Sequence, residues 1–277
     1  MNLCLKKIWI NGFHLFCVLI LAAVFVTEVK ASGELNLSDI VTVWSGGDDG
    51  QSAILLSQKI DEQWSEPFVL SVSDELNITP SIAVDEKNGD AVVVWSSFYK
   101  GQISLFMKQY VDGEWLESQE IVTGMDVNVA PSVVYDDEGA IWSVWVSSDG
   151  EGDDIYYSRW NGTTFEPAER ITDNSVPDLS PVLGKTAEGM VWVQWKRYSS
   201  SGFITQVASW NGESWELQNN ITDDVFLLHY PTQNKENDVE AEEILLDLPE
   251  YVTDPDMASV FLPEQEIQSI PIKFIRK

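Results

Sequence analysis

Short blocks of apolar and alternating residues, separated by turns rich in Gly, Asn and Asp, fill the chain from residue 40 to residue 222. After Pro80, Ser81–Val84 reads as a strand, Asp85–Asp90 (DEKNGD) as a turn, and Ala91–Ser96 as a second strand carrying Trp95. Ile103–Val111 is a third strand, Asp112-Gly113 a tight turn, and Trp115 opens a fourth that closes at Ile121-Val122-Thr123. Ala91-Val92-Val93-Val94-Trp95 is apolar without a break. That is the pattern of a strand buried on both faces, not of one with a wet side. In the next two units Asn161-Gly162 and Asn211-Gly212 replace Asp112-Gly113. Asn-Gly predicts a type I′ turn, because both central residues need positive φ. No stretch before residue 222 keeps a helical period.

The pattern is a repeat. Trp44, Trp95, Trp145 and Trp195 are spaced 51, 50 and 50 residues apart, and Pro80, Pro131 and Pro181 by 51 and 50. Gly89, Gly139 and Gly189 keep intervals of 50, and Trp64, Trp115, Phe165 and Trp215 run 51, 50, 50. Four independent marks on one period exclude coincidence. Four antiparallel strands in a unit of this length predict an all-β chain, a β-propeller of about four 50-residue blades. The blades fall near residues 32–79, 80–130, 131–180 and 181–222, after an N-terminal signal segment at 1–31. The repeated Trp residues would fill the wedges between blades, each burying about 200 Å², worth ~5 kcal/mol before entropy. Trp142 and Trp192 precede Trp145 and Trp195 by three, so alternation puts each pair on opposite faces.

The first unit has its second to fourth strands (Ile40–Ser45, Ala53–Ile60, Trp64–Ser71), but its first would fall near Val29–Gly33, at the signal segment. The tail could supply the missing strand from Ile267–Ile275, closing a four-bladed ring. Other solutions are two half-rings pairing as a homodimer, or a shortened form of a ring with roughly six to eight blades. Residues 223–277 break the repeat and hold thirteen acidic and four basic residues. Glu240–Leu248 reads as a short helix ended by Pro249, and the acidic tail as a solvated segment or a docking arm for a basic partner.

The run DDIYYSRWNGTTFEPAERIT (Asp153–Thr172), followed by Pro181 and EGMVWVQW (Glu188–Trp195), resembles exported bacterial β-propeller repeats of the sialidase-like and TolB-like kind. The resemblance covers about residues 38–222 and speaks for fold, since propellers host many functions. It implies, for sugar-cleaving sialidases, an arginine triad, a tyrosine nucleophile with a glutamate, and an acid/base aspartate. Beyond residue 31 the arginines are Arg159, Arg170, Arg197 and Arg276, and the first two sit on third and fourth strands, away from a central axis. Asp137, Gly139 and Trp142 match the Asp box only in part, and between the wrong strands. No catalytic residue is carried over.

The N-terminus has the layout of an export signal: basic Lys6 and Lys7, an apolar run strongest from Leu15 to Val26, and a cleavage site at Ala31/Ser32. Ile8–Val26 could alternatively stay as a membrane anchor, the one route to a membrane. The expected location is periplasmic or extracellular. Cleavage removes both cysteines, Cys4 and Cys17, and with them any disulfide or thiolate metal site. It leaves 13 basic and 44 acidic residues. Such an excess of acid excludes nucleic acid as a partner and disfavours anionic lipid.

Candidate chemistry is sparse. His229 is the only histidine after residue 31, which excludes a Ser-His-Asp triad in the repeats and a histidine-rich zinc or iron site. No cofactor is expected, though equivalent Gly-Asp loops could hold calcium through Asp48 and Asp49 in one and Asp149, Glu151, Asp153 and Asp154 in the other. Paired carboxylates for glycoside hydrolysis are too easily met in so acidic a chain to mark a site. Phe98, Tyr99, Tyr198 and Phe203 lie off the repeat in loops, near Lys100, Lys196 and Arg197. With Arg197 these four aromatics are the candidate ligand-binding residues. The expected function is non-catalytic binding of a glycan or protein through loops. The alternatives are a glycoside hydrolase with acids near the axis, or a scaffold docking through its acidic tail. Asn36, Asn77, Asn161 and Asn220 each begin a glycosylation sequon.

Overall fold

The computed structural model describes residues 35–36, 39–47, 52–71, 75–148, 150, 152–186, 188–218, 244–250, 252–253, 258–261 and 272–275. Among them the structure is all β, with four sheets that follow the repeat. The second sheet runs in order β5 (Leu76–Asp85), β6 (Asp90–Tyr99), β7 (Gln102–Val111) and β8 (Glu114–Trp115), with β9 (Gln119–Ile121) also on β7. The third is β10 (Asn128–Tyr135), β11 (Ile141–Ser148), β12 (Asp153–Arg159) and β13 (Glu169–Arg170). The fourth is β14 (Asp178–Lys185), β15 (Val191–Ser199), β16 (Gly202–Trp210) and β17 (Trp215–Leu217). The apolar second strands lie inside their sheets, covered on both faces.

The first sheet solves its missing strand with the tail. It runs β19 (Ala258–Phe261), β1 (Ile40–Gly46), β2 (Ala53–Ile60) and β3 (Gln63–Trp64), with β4 (Phe68–Val69) also on β2. The strand added beside β1 is therefore Ala258–Phe261; of the expected Ile267–Ile275, residues 267–271 lie outside the described residues. Ile272–Ile275 forms β20 instead, paired in parallel with β18 (Ile244–Asp247), so residues 244–247 are strand where the sequence suggested helix. β19 enters in the register of a native first strand. Ser259 pairs with Val43 as Ser81 pairs with Val94 and Ser132 with Val144. Each serine then serves the next sheet: the N–H groups of Ile82, Val133 and Leu183 donate to the hydroxyls of Ser259 (3.3 Å), Ser81 (3.2 Å) and Ser132 (3.0 Å). In the fourth sheet the matching residue is Val182, which has no hydroxyl to offer.

Three hydrophobic cores lie between consecutive sheets. Val41, Val43, Ile54 and Leu56 meet Ile82, Val93 and Trp95; Val92, Val94 and Leu105 meet Val133 and Trp145; Trp142, Val144 and Ile155 meet Leu183, Val193 and Trp195. Trp142 and Trp145 therefore serve different interfaces, as their spacing required. First strands pack on one another in series, β19 on β5, β5 on β10, β10 on β14. Among the described residues no core joins the fourth sheet to the first, so they form a stacked series of propeller-like blades. The repeated prolines sit at bulges, where the ladder register shifts between Ile78 and Ser81, Val129 and Ser132, and Leu179 and Val182. The residue before each proline has positive φ: Thr79 (49°), Ala130 (51°) and Ser180 (53°).

The turns differ in mechanism. Asp112 and Gly113 both have positive φ, 52° and 85°, as a type I′ turn needs. At Asn161-Gly162 and Asn211-Gly212 only the glycines do, and the type I′ expectation fails there. The asparagine carboxamides instead accept from the turn's own N–H groups, Thr163 and Thr164 in one, Glu213 and Ser214 in the other. Such an Asx turn satisfies the backbone without a left-handed asparagine.

Candidate functional site

The four aromatic residues expected in loops lie instead on strand ends, Phe98 and Tyr99 closing β6, Tyr198 near the end of β15 and Phe203 at the start of β16, at the edge of the stack where second and third strands join. Phe98 (53% exposed), Tyr198 (52%) and Phe203 (57%) are open to solvent there. Tyr198 meets Phe203 edge-on across the β15–β16 hairpin, with centroids 5.6 Å apart. Tyr99 packs on Phe106 (5.5 Å), and the Lys100 ammonium lies 4.3 Å from the Tyr99 ring centre. No ring contact joins the second-sheet pair to the fourth-sheet pair among the described residues, so the two hairpins do not form one site.

Arg197 has another task. Its guanidinium donates through Nε and Nη2 to both oxygens of Asp178, at 2.8 and 2.9 Å. Asp178 is wholly buried and also accepts from Trp195 Nε1 (2.8 Å) and Asn174 Nδ2 (2.7 Å). Arg197 thus neutralises an internal carboxylate, and its fork is spent on that pair. Among the calcium candidates, Asp48, Asp49, Asp149 and Glu151 lie outside the described residues. Asp153 opens β12. Asp154 is buried, accepts from Thr172 Oγ1 (3.0 Å) and faces Arg170 (3.6 Å). Burial is the main cause that raises its carboxyl above the ordinary range, against the Thr172 bond. Among the described residues no group of three His, Cys, Asp or Glu side chains converges on a metal position. No helix among them is long and apolar enough to cross a membrane. The sequon at Asn77 is buried, and its carboxamide holds Ser52 O (2.7 Å) and Trp95 Nε1 (2.9 Å).

The concave feature that the sequence did not reveal lies at the opposite edge. It is a cleft of about 470 Å³ between the second and third sheets. Asp90 and Gln109 line one side, at the start of β6 and on β7; Tyr135, Glu138, Arg159, Trp160, Asn161 and Glu166 line the other. Asp136 organises that second wall. One of its oxygens accepts from the Glu138 and Ala140 N–H groups at 3.0 and 2.8 Å, pinning the β10–β11 turn. The other accepts from Trp142 Nε1 (2.8 Å) and Arg159 Nη2 (3.1 Å). Arg159 also lies 3.7 Å from Glu138 and stacks over Trp142, 5.0 Å from the ring centre. Trp160 leaves β12 half-buried, braced edge-on by Phe165 at 5.4 Å. The neighbouring turns are tied across sheets: Asp137 takes an ion pair from Lys185 at 2.9 Å, and its carbonyl accepts from Lys87 Nζ at 3.0 Å. The Lys185 hydrogen bond, ahead of both lysine charges, holds the Asp137 carboxyl below the usual range.

Two groups in the cleft are electrostatically displaced. Burial lifts the Asp90 carboxyl above its ordinary value, opposed by an N–H from Asp112 and reinforced by the Asp112 and Asp85 charges. Tyr135 is 6% exposed, and its hydroxyl makes no hydrogen bond to protein among the described residues. Burial first, then the Asp90 and Asp85 charges, push its phenol well above the usual range. An unpaired hydroxyl that lines an open cleft, on a side chain otherwise buried, is a donor available to a ligand's acceptor. The signal for this site was present as departure from the repeat. Arg159 stands where the other units have Gln58, Gln109 and Ser209, and Tyr135 where they have Val84 and Lys185.

No family model and no curated protein matches the chain. Solved structures do. A protein of unknown function from Dyadobacter fermentans superposes with a TM-score of 0.52 at 13% identity, over 68% of this chain and 66% of its own. A Hadza microbial sialidase gives 0.43 at 13%, over 62% and 46%. An endo-1,4-beta-xylanase from Bacteroides thetaiotaomicron gives 0.45 at 10%, over 66% and 72%. This chain therefore spans just under two thirds of the first of these and under half of the sialidase. At such identities the likeness is one of fold alone, the all-β arrangement shared with the Dyadobacter protein.

Proposed function

We propose that the chain is an exported, non-catalytic sugar-binding protein that takes its ligand in the cleft between the second and third sheets. The observation that carries this is the pairing in one cavity of an indole wall, Trp160, with a hydrogen-bonding edge, Asp90, Gln109, Glu138, Asn161 and the free Tyr135 hydroxyl. A sugar ring has an apolar face and a rim of hydroxyls, and that pairing answers both. The volume of about 470 Å³ suits one or two sugar rings. Export rests on the pattern of residues 1–31.

The test is a glycan array followed by calorimetry on Trp160→Ala and Trp160→Phe. Loss of the indole face should weaken binding about tenfold in the alanine variant and less in the phenylalanine one. Affinity unchanged in both, with ligand still bound, would move the site elsewhere. The raised Asp90 carboxyl favours a second reading, in which it acts as the general acid of a glycoside hydrolase with Glu138 or Glu166 as its partner. Turnover of a fluorogenic glycoside that Asp90→Asn abolishes would establish that reading over the first.

A further inference from the structure

The same cleft carries a charge that selects among sugars. Three carboxylates, Asp90, Glu138 and Glu166, line it against one guanidinium, Arg159. That guanidinium is already engaged by Asp136 at 3.1 Å and Glu138 at 3.7 Å. The Asp85 and Asp112 charges bear on Asp90 from behind. Among the described residues no lysine lines the cavity, and Lys87 and Lys185 are held by Asp137. An incoming anion therefore meets uncompensated negative charge and finds no free cation to receive it. An ammonium group meets three acceptors and, at the rim, the face of Trp160. The Tyr135 hydroxyl, which lines the cleft beside Asp90 and has no hydrogen bond to protein among the described residues, donates to a sugar oxygen while the carboxylates take the amine.

We infer that the cleft is specific for an amine-bearing saccharide and rejects carboxylated and sulfated ones. The inference rests on the sugar-binding reading and sharpens it. It also separates this chain from a sialic-acid site, which has to hold a carboxylate with free arginines. Arg159 is the only arginine lining the cleft among the described residues, and it faces two acids.

The experiment is calorimetry on the purified full chain with three oligosaccharides of equal length: a glucosamine oligomer, its N-acetylated counterpart, and a galacturonate oligomer. The glucosamine oligomer should bind about tenfold or more tighter than the N-acetylated one, and the galacturonate should not bind. Asp90→Asn and Glu138→Gln should each shrink the amine preference, the ratio of the glucosamine to the N-acetylated affinity, several-fold. Spermidine, which has amines and no ring face, should bind at least tenfold more weakly than the glucosamine oligomer.

Equal or tighter binding of galacturonate overturns the inference and leaves the sugar-binding reading standing. So does an amine preference that survives both substitutions. Spermidine binding as tightly as the amino sugar overturns the saccharide part. Binding of none of the three sugars overturns the site itself, and the inference with it.

Discussion

Asp178 and Arg197 offer a sharp test of the energetics, because the molecule contains its own controls. At the equivalent positions the second sheet has Asn77 and Ser97, and the third has Asn128 and Ser147. In the second sheet Trp95 Nε1 donates to Asn77 Oδ1 at 2.9 Å, as Trp195 donates to Asp178 in the fourth. The third sheet has the same two groups, Trp145 Nε1 and Asn128 Oδ1, buried without a hydrogen bond. The ion pair of the fourth sheet is thus an addition to a scaffold that can also run neutral.

Arg197→Ser would leave a wholly buried carboxylate with two neutral donors, Trp195 and Asn174, and should cost about 3 kcal/mol. For a chain of this size that is a fall of about 6–12 °C in Tm. Asp178→Asn would strand a guanidinium that is 23% exposed and can recruit water, so it should cost less, about 2 kcal/mol. The double variant Asp178→Asn with Arg197→Ser recreates the Asn–Ser combination and should lose only about 1.5 kcal/mol, a coupling of about 3.5 kcal/mol. Urea denaturation of the four proteins reads this directly. Additive losses, with the double variant down about 5 kcal/mol, would refute the argument, because the pair would then not be compensating itself.

Two further outcomes follow from the same structure. Removing residues 254–277 deletes β19, opening the edge of β1 and taking away the Ser259 acceptor of Ile82 N–H. Hydrogen exchange should then show β1 losing about 3 kcal/mol of protection, over 100-fold in rate, with β14–β17 unchanged; equal protection in β1 would mean that the tail strand contributes nothing. Asp90→Asn should stabilise the protein at neutral pH. A carboxyl raised in the folded state destabilises the fold once pH has climbed through its folded value, and costs nothing below the ordinary carboxylate range. The gain should therefore be present at pH 7 and absent at pH 3; a constant gain in thermal scans would mean that ionisation is not its cause.

Why the sequence showed the fold and hid the cleft follows from what repeats. Trp95, Trp145 and Trp195 recur because every interface between sheets needs the same wedge, and each is buried at 2% exposure or less. Pro80, Pro131 and Pro181 recur because every first strand carries the same bulge. Even the missing strand was foreseen in kind, and its place was missed for a local reason. Ile267–Ile275 alternates over a longer stretch, whereas Ala258–Phe261 is only four residues long and lacks the proline. What marks it is Ser259, the counterpart of Ser81 and Ser132, a single hydroxyl whose role appears only when sheets are stacked.

A ligand site obeys the opposite logic. Repetition makes blades equal, and a site has to make one interface unlike the others, so its residues are those that break the series. Arg159 and Tyr135 differ from their counterparts in the other units, at the ends of β12 and β10, whereas Asp90 repeats the Asp39 of the first unit. The residues expected in ligand-binding loops are strand ends instead: Phe98 and Phe203 are exposed, and Arg197 is spent on Asp178. Exposure without concavity gives a ligand one face. The cleft needs two sheets, and the distance in sequence between Asp90 and Trp160 is closed by β10 packing on β5, β6 and β7. That adjacency is a consequence of the 50-residue period. In a repeat protein, then, the period locates the core, and the departures from it, compared across neighbouring units, locate the cleft.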